Sequence, residues 1–128
     1  MRGFAKCLVA GAVAIAWLAG GQAAQAQGRL LEEYVAFLGE ADHFNSNGQR
    51  LTAPWQVLRQ DRANFHRFGI RDDGDEDDRF LASAANRARM ERMMLNGHIE
   101  PSAGRRIVNG LVWVRVEIYE NAVYVTVE

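Results

Sequence analysis

Residues 111–128 read LVWVRVEIYENAVYVTVE, and this stretch decides the fold of the chain. Valine or isoleucine occupies every second position over 112–118 and again over 123–127. Apolar residues that alternate with polar or aromatic ones indicate β-strands with one buried face. Glu120-Asn121 lies between the two runs and suits a tight turn. The sequence therefore predicts a C-terminal β-hairpin.

A hairpin on its own is barely stable in water, so this one needs a third strand or helices packed on it. The candidate for that strand is Tyr34–Leu38, a short apolar run. Leu30, Tyr34 and Leu38 also fit the spacing of a helix, and periodicity does not separate the two in so short a run. Residues 30–38 are therefore predicted as either a strand or a helix.

The first main helix is predicted over 54–68, because Pro54 suits a first turn and Gly69 suits a C-terminal stop. At 100° per residue its buried face is formed by apolar side chains: Val57, Leu58, Phe65 and Phe68. The opposite face is mostly polar and consists of Arg59, Gln60, Ala63, His66 and Arg67.

A second main helix is predicted over 79–95 with Asp78 as its cap, and a short third helix over 100–109. The main apolar stripe of the second helix is Phe80, Leu81, Ala84, Ala88 and Leu95. Met90, Met93 and Met94 form another stripe, which either packs in the core or, if exposed, meets a protein partner. We expect an α+β fold, with these helices packed on a small antiparallel sheet that ends in the hairpin.

The start of the chain has the organisation of a secretory signal peptide, predicted as Met1–Ala26. A positively charged start is followed by an uncharged apolar run over 8–20 and by the small-x-small sequence Ala24-Gln25-Ala26. The apolar run is shorter than the ~20 residues that a membrane-spanning helix needs. We expect a periplasmic or secreted protein whose residues 27–128 form a single small globular domain.

Residue inventory limits the chemistry of that domain. The only cysteine and the only lysine of the chain are Cys7 and Lys6, so the predicted mature domain contains neither. Disulfides, thiolate metal sites, cysteine nucleophiles and Schiff bases are thereby excluded. No serine lies in a Gly-x-Ser-x-Gly motif and no glycine-rich phosphate loop occurs, so we expect no cofactor. Its 13 arginines against 16 acidic residues argue against nucleic acid as a partner.

The acidic run Asp72–Asp78 leaves two interpretations open. A calcium loop that begins with Asp73, Asp75 and Asp77 departs from the helix–loop–helix pattern, because Asp78 replaces the expected glycine and Ala84 the expected glutamate. The alternative is a solvated loop that caps the next helix. The three histidines do not have the spacing of a metal site.

Asp61 is the most unusual residue of the first helix, because the helical wheel places it among apolar side chains. A buried carboxylate must be paired, hydrogen-bonded or protonated. One interpretation is a structural buried acid that bonds an arginine or loop N–H groups and fixes the loop 40–52. The other is a small acid–base hydrolase that uses Asp61 and His43.

Arg59, Arg62 and His66 follow one another at helical spacing and form a predicted ligand or partner surface. Together with the missing nucleophiles, this surface favours a non-enzymatic binding or interaction module over a catalyst. The expected partner is a protein or a component of the cell envelope. The more ordinary interpretation of the three residues is a solvated helix face.

Three segments carry a resemblance to a group of small exported bacterial proteins with no assigned activity. They are Asn45-Ser46-x-Gly48-x-Arg50-Leu51, the run from Leu58 to Gly69, and Asp75-Glu76-x-Asp78-x-Phe80. The resemblance implies export and a shared fold over most of residues 27–128. It implies no catalytic residue.

Overall fold

The computed structural model describes residues 28–128 and contains one four-stranded sheet. Its strands are β1 (Leu30–Leu38), β2 (His98–Ile99), β3 (Val112–Tyr119) and β4 (Val123–Val127), in the order β1-β3-β4-β2. The β1–β3 and β3–β4 pairs are antiparallel, whereas the short β2 is parallel to β4. The sheet is therefore mixed, and β2 is an addition to the predicted antiparallel strands.

The predicted hairpin is confirmed, and it explains why residues 30–38 form a strand. The N–H of Tyr119 donates to the Ala122 carbonyl over 2.8 Å and closes the turn between β3 and β4. β4 pairs with one edge of β3 and leaves the other edge with unpaired backbone groups. β1 takes that edge, with Leu38 opposite Val112, and turns alternate residues toward the helices.

Four helices pack against the inner face of the sheet. They are α1 (Pro54–Ala63), α2 (Ala84–Ala88), α3 (Met90–Asn96) and α4 (Pro101–Asn109). Single 3₁₀ turns cover Glu40–His43 and Phe80–Ala82, and a π-helical turn, Asn64–Phe68, extends α1. The core joins both layers and includes Tyr34, Leu58, Leu81, Met90, Ile107, Val114, Val116 and Ile118. This α+β arrangement agrees with the predicted fold class.

The predicted helix 79–95 is wrong in detail, because the chain breaks twice. The Ser83 hydroxyl accepts the Asn86 N–H at the start of α2, and the backbone turns again at Arg89 before α3. These breaks divide the predicted apolar stripe, because Leu81 is buried in the core whereas Ala84, Ala88 and Leu95 are exposed, Leu95 by 80%. The three methionines, Met90, Met93 and Met94, are buried in the core instead. They form no exposed partner surface.

The first helix is also shorter than predicted, since α1 ends at Ala63 and the π-helical turn follows. Val57, Leu58 and Phe65 are buried as the helical wheel predicts. A π turn is wider than an α turn, so each residue advances by a smaller angle. Phe68 therefore leaves the buried face and is 48% exposed.

The acidic run lies along the outer edge of β1. The Glu76 N–H donates to the Val35 carbonyl over 2.8 Å, and the Val35 N–H donates to the Glu76 carboxylate over 2.7 Å. The Phe37 N–H donates to the Asp75 carboxylate over 2.8 Å. These bonds occupy the edge of β1, where unpaired backbone groups would otherwise attract another strand.

The predicted signal peptide, Met1–Ala26, lies outside the described residues. Among residues 28–128, no helix has the length and apolar character needed to cross a bilayer.

Candidate functional site

Asp61 and Arg62 are consecutive residues of α1, and both are buried, with 2% and 0% of their surface exposed. Arg62 Nε donates to Asp61 Oδ2 over 2.8 Å. Arg62 Nη1 donates to Asp78 Oδ1 over 3.1 Å and to the Glu76 carbonyl over 3.0 Å. The guanidinium thus ties α1 to the end of the acidic run. The prediction that Arg62 belongs to an exposed surface is wrong.

Aromatic rings make the buried guanidinium of Arg62 tolerable. Its central carbon lies 4.2 Å from the ring centre of Tyr34 and 4.4 Å from that of Phe65. The guanidinium of Arg71 lies 3.9 Å from the ring centre of Phe65. A planar, weakly hydrated guanidinium is stabilised by stacking on aromatic rings, and the ammonium group of a lysine would be stabilised less.

Asp78 connects this cluster to His66. Its Oδ1 lies 2.8 Å from His66 Nε2, and its Oδ2 accepts the Leu81 N–H over 2.6 Å. The second contact holds the 3₁₀ turn Phe80–Ala82, whereas the helix α2 is capped by Ser83 and not, as predicted, by Asp78. The His66 side chain is only 9% exposed, so it faces Asp78 and does not belong to the predicted outer surface.

The buried ion cluster of Asp61, Arg62, Asp78 and His66 contains more negative than positive charge unless it holds an extra proton. Burial raises the pKa of Asp61 to about 8, because the loss of hydration outweighs the attraction of Arg62. In the described part of the chain, Arg62 Nη2 and the Tyr34 hydroxyl are buried without a hydrogen-bond partner. The cluster therefore favours a bound proton near neutral pH.

His43 joins two segments of the chain. Its Nδ1 lies 2.7 Å from the Gly39 carbonyl, and its Nε2 lies 2.8 Å from the Ile107 carbonyl of α4. Carbonyl oxygens only accept, so a ring nitrogen that carries hydrogen donates to the carbonyl that it faces. With Asp61 and His43 both at least 97% buried and both imidazole nitrogens engaged, the geometry argues against the hydrolase interpretation.

The loop 40–52 is fixed by Asn64 and not by Asp61. Asn64 Nδ2 donates to Asp42 Oδ1 over 2.8 Å and to the Ala41 carbonyl over 3.3 Å. Asp42 also accepts the Gly39 N–H over 2.9 Å. The predicted anchoring of this loop thus exists, with a different residue of the same helical segment as the anchor.

The calcium interpretation of Asp73, Asp75 and Asp77 is not supported. Asp75 bonds the N–H groups of Phe37 and Asp72, and Asp77 bonds the N–H of Asp78. Over residues 28–128, no group of three or more acidic or histidine side chains converges as metal ligands would. The acidic run bonds the edge of β1 and, through Asp78, the backbone of the 3₁₀ turn Phe80–Ala82.

Arg59 lies in an open groove of about 320 Å³ between α1 and the turn that precedes it. We call it the arginine groove, and its main lining residues are Asn45, Leu51, Trp55, Arg59, Arg67 and Phe68. No carboxylate is among the side chains that line it. Elsewhere within residues 28–128, six ion pairs are formed, but neither Arg59 nor Arg67 takes part in one.

The amide side chains in the groove wall already have internal partners. Asn45 accepts the N–H groups of Asn47 and Gln49, Gln56 accepts that of Ala53, and Gln60 donates to Asn64. These bonds hold the wall in place, and the two guanidiniums are the charged donors among the lining side chains. Arg67 lies 5.0 Å from the ring centre of Phe68.

Sequence reasoning identified Arg59 but missed Trp55, Arg67 and Phe68 as groove residues. Trp55 and Arg59 are four residues apart on one helix face, a spacing that was available in the sequence. The outward turn of Phe68 was not, because it depends on the π-helical turn.

No protein-family model, no curated protein and no solved structure matches this chain. The resemblance to small exported proteins therefore stays an expectation.

Proposed function

We propose that this protein is a non-enzymatic binding module that captures a protein or a component of the cell envelope in the arginine groove. The observation that carries the proposal is that the exposed Arg59 and Arg67 share a concave site with the aromatic side chains of Trp55 and Phe68, and that no carboxylate lines this site. Cations that stay accessible beside aromatic rings are typical of binding surfaces.

The absence of ready catalytic groups in the groove supports binding over catalysis. Its side chains are amides, arginines, apolar groups and Ser46. No histidine or carboxylate lies among them to activate the Ser46 hydroxyl. Recognition by charge and stacking is the chemistry that this set of side chains performs.

Export belongs to the same proposal and rests on the signal-like sequence of Met1–Ala26. β1 begins at Leu30, so cleavage after Ala26 would leave every described strand and helix intact. N-terminal sequencing of the protein from a periplasmic fraction should give Gln27 as the first residue. Recovery of the uncleaved chain from the cytoplasm would contradict export.

The binding proposal is tested by capture from an envelope extract of the producing cells. The double substitution Arg59→Ala and Arg67→Ala should abolish capture while the melting temperature stays within about 2 °C of the wild type, because both side chains are exposed. Phe68→Ser, an independent change in the groove, should weaken capture as well.

The matched control is Arg105→Ala with Arg106→Ala, which removes the same charge from exposed positions of α4. The control should capture like the wild type. Equal capture by the wild type and by both groove variants would overturn the proposal.

A further inference from the structure

We infer that the arginine groove recognises an acidic segment of a protein partner in which a carboxylate lies beside an aromatic side chain. This inference rests on the proposed binding function and names the chemistry of the partner.

Charge complementarity is the first argument. Arg59 and Arg67 are exposed, line one groove and have no carboxylate among its other lining side chains. Guanidinium groups bind carboxylates through paired, charge-assisted hydrogen bonds. The other donors of the lining, such as the Trp55 indole N–H and the Gln56 amide, are neutral, so the two guanidiniums supply all of the positive charge of the groove.

The aromatic walls are the second argument. Trp55 and Phe68 both line the groove, and Phe68 exposes nearly half of its surface although the chain has a formed core. Arg67 already lies over the Phe68 ring. A flat side chain placed beside these rings would bury apolar surface next to the two cations, which combines stacking with charge pairing.

The shape of the groove favours a peptide over a small metabolite. Small-molecule pockets have volumes of roughly 300–1,000 Å³ and enclose most of their ligand. This groove, with about 320 Å³, is at the lower end of that range, and four of its lining residues, Ser46, Arg59, Arg67 and Phe68, are exposed, so a bound molecule would stay open to solvent. It suits one or two anchoring side chains whose backbone continues outside.

The test is calorimetric titration with three blocked tetrapeptides. Acetyl-Glu-Phe-Glu-Phe-amide should bind, and the analogues with glutamine for glutamate or alanine for phenylalanine should bind at least about tenfold more weakly. In nitrogen-15 NMR spectra, the acidic peptide should shift the indole N–H of Trp55 and the Nε–H of Arg59 and Arg67. The indole of Trp113 on the sheet should stay unchanged and serves as the internal reference.

The variants separate this inference from the binding function. Arg59→Gln with Arg67→Gln should reduce affinity for the acidic peptide by at least about tenfold, whereas Arg105→Gln with Arg106→Gln should leave it unchanged. Equal binding of the glutamate and glutamine peptides would overturn the inference. So would tighter binding of phenyl phosphate or inorganic phosphate than of the acidic peptide. If no peptide binds while envelope capture still depends on Arg59 and Arg67, the inference fails and the binding function stands.

Discussion

Arg62 and Arg115 each hold two carboxylates, but in opposite surroundings. Arg62 is fully buried between α1 and the acidic run, where it pairs with Asp61 and Asp78. Arg115 lies on the outer face of the sheet, where it bridges Glu33 of β1 and Glu128 beyond β4, with 42% of its side chain exposed. The count of ion pairs is the same, and the physical consequences differ.

Water accounts for the difference between the two sites. Around Arg115 it screens the charges, and the pairs add little to stability. Around Arg62 it is excluded, so each charge depends on its partners, and removing one leaves the others unpaired in a poorly polarisable interior. The contribution of an ion pair to the stability of this protein therefore depends on whether water or other side chains surround it.

The largest expected effect is that of Arg62→Met, which keeps an apolar side chain but leaves Asp78 without its counter-charge and Asp61 without its hydrogen-bond donor. The free energy of unfolding should fall by about 3–5 kcal/mol, measured by urea denaturation at pH 7. Arg59→Met, on the exposed face of the same helix, is the control and should change it by less than about 0.5 kcal/mol. Similar losses for the two variants would contradict the comparison.

The second prediction concerns the proton of Asp61. Its pKa is about 3.9 in an unfolded chain and about 8 in the folded protein, so between these values the folded state holds a proton that the unfolded state lacks. Stability should therefore fall as pH rises across this window, by up to about 1.4 kcal/mol per pH unit. Asp61→Asn resembles the protonated form and should flatten this dependence. An unchanged slope would show that Asp61 stays ionised.

A smaller effect is expected for His43→Gln. Glutamine carries its donors on a single nitrogen and cannot reach both the Gly39 and Ile107 carbonyls, so one of the two buried contacts of the ring is lost. The expected cost is about 1–3 kcal/mol by thermal or urea denaturation. His98→Gln is the control, because His98 pairs with Glu100 in an exposed position and should cause no measurable loss. If His43→Gln left the stability unchanged, the loop 40–52 would not depend on the contacts of His43 with the Gly39 and Ile107 carbonyls.

The smallest effect is expected for Arg115→Gln. Solvent already screens the pairs with Glu33 and Glu128, so the denaturation midpoint should move no further than the experimental error in 1 M salt. Any loss should appear only at low ionic strength. A salt-independent loss comparable to that of Arg62→Met would remove the distinction between the two sites.

The sequence predicted those helices and strands that are determined by their own residues. The alternation over 112–127 predicted β3 and β4, and Pro101 with Gly110 bounded α4. The strand at 30–38 was undecided, because its identity depends on the free edge of β3, which is distant in the sequence. The burial of Asp61 followed from the helical wheel.

The candidate site was predicted less well. Arg62 was assigned to the surface because the wheel treats every arginine as solvated, whereas here Tyr34 and Phe65 enclose it. Phe68 was assigned to the buried face and belongs to the groove because the π-helical turn changes the angle between residues. The helical periodicity of a sequence contains no information on contacts with distant residues or on local departures from α-helical geometry.

The pairing of β1 with β3 has a consequence for how the protein folds. Val35 lies opposite Arg115, so the first strand of the described domain completes its hydrogen bonds only with residues 80 positions later. Contacts between such distant residues require a large loop to close first, which slows folding. A chain that still lacks 112–119 can form turns of helix, but its inner apolar faces have no sheet to cover them. Synthesis of the last strands, and not of the helices, therefore sets the moment at which this domain becomes native.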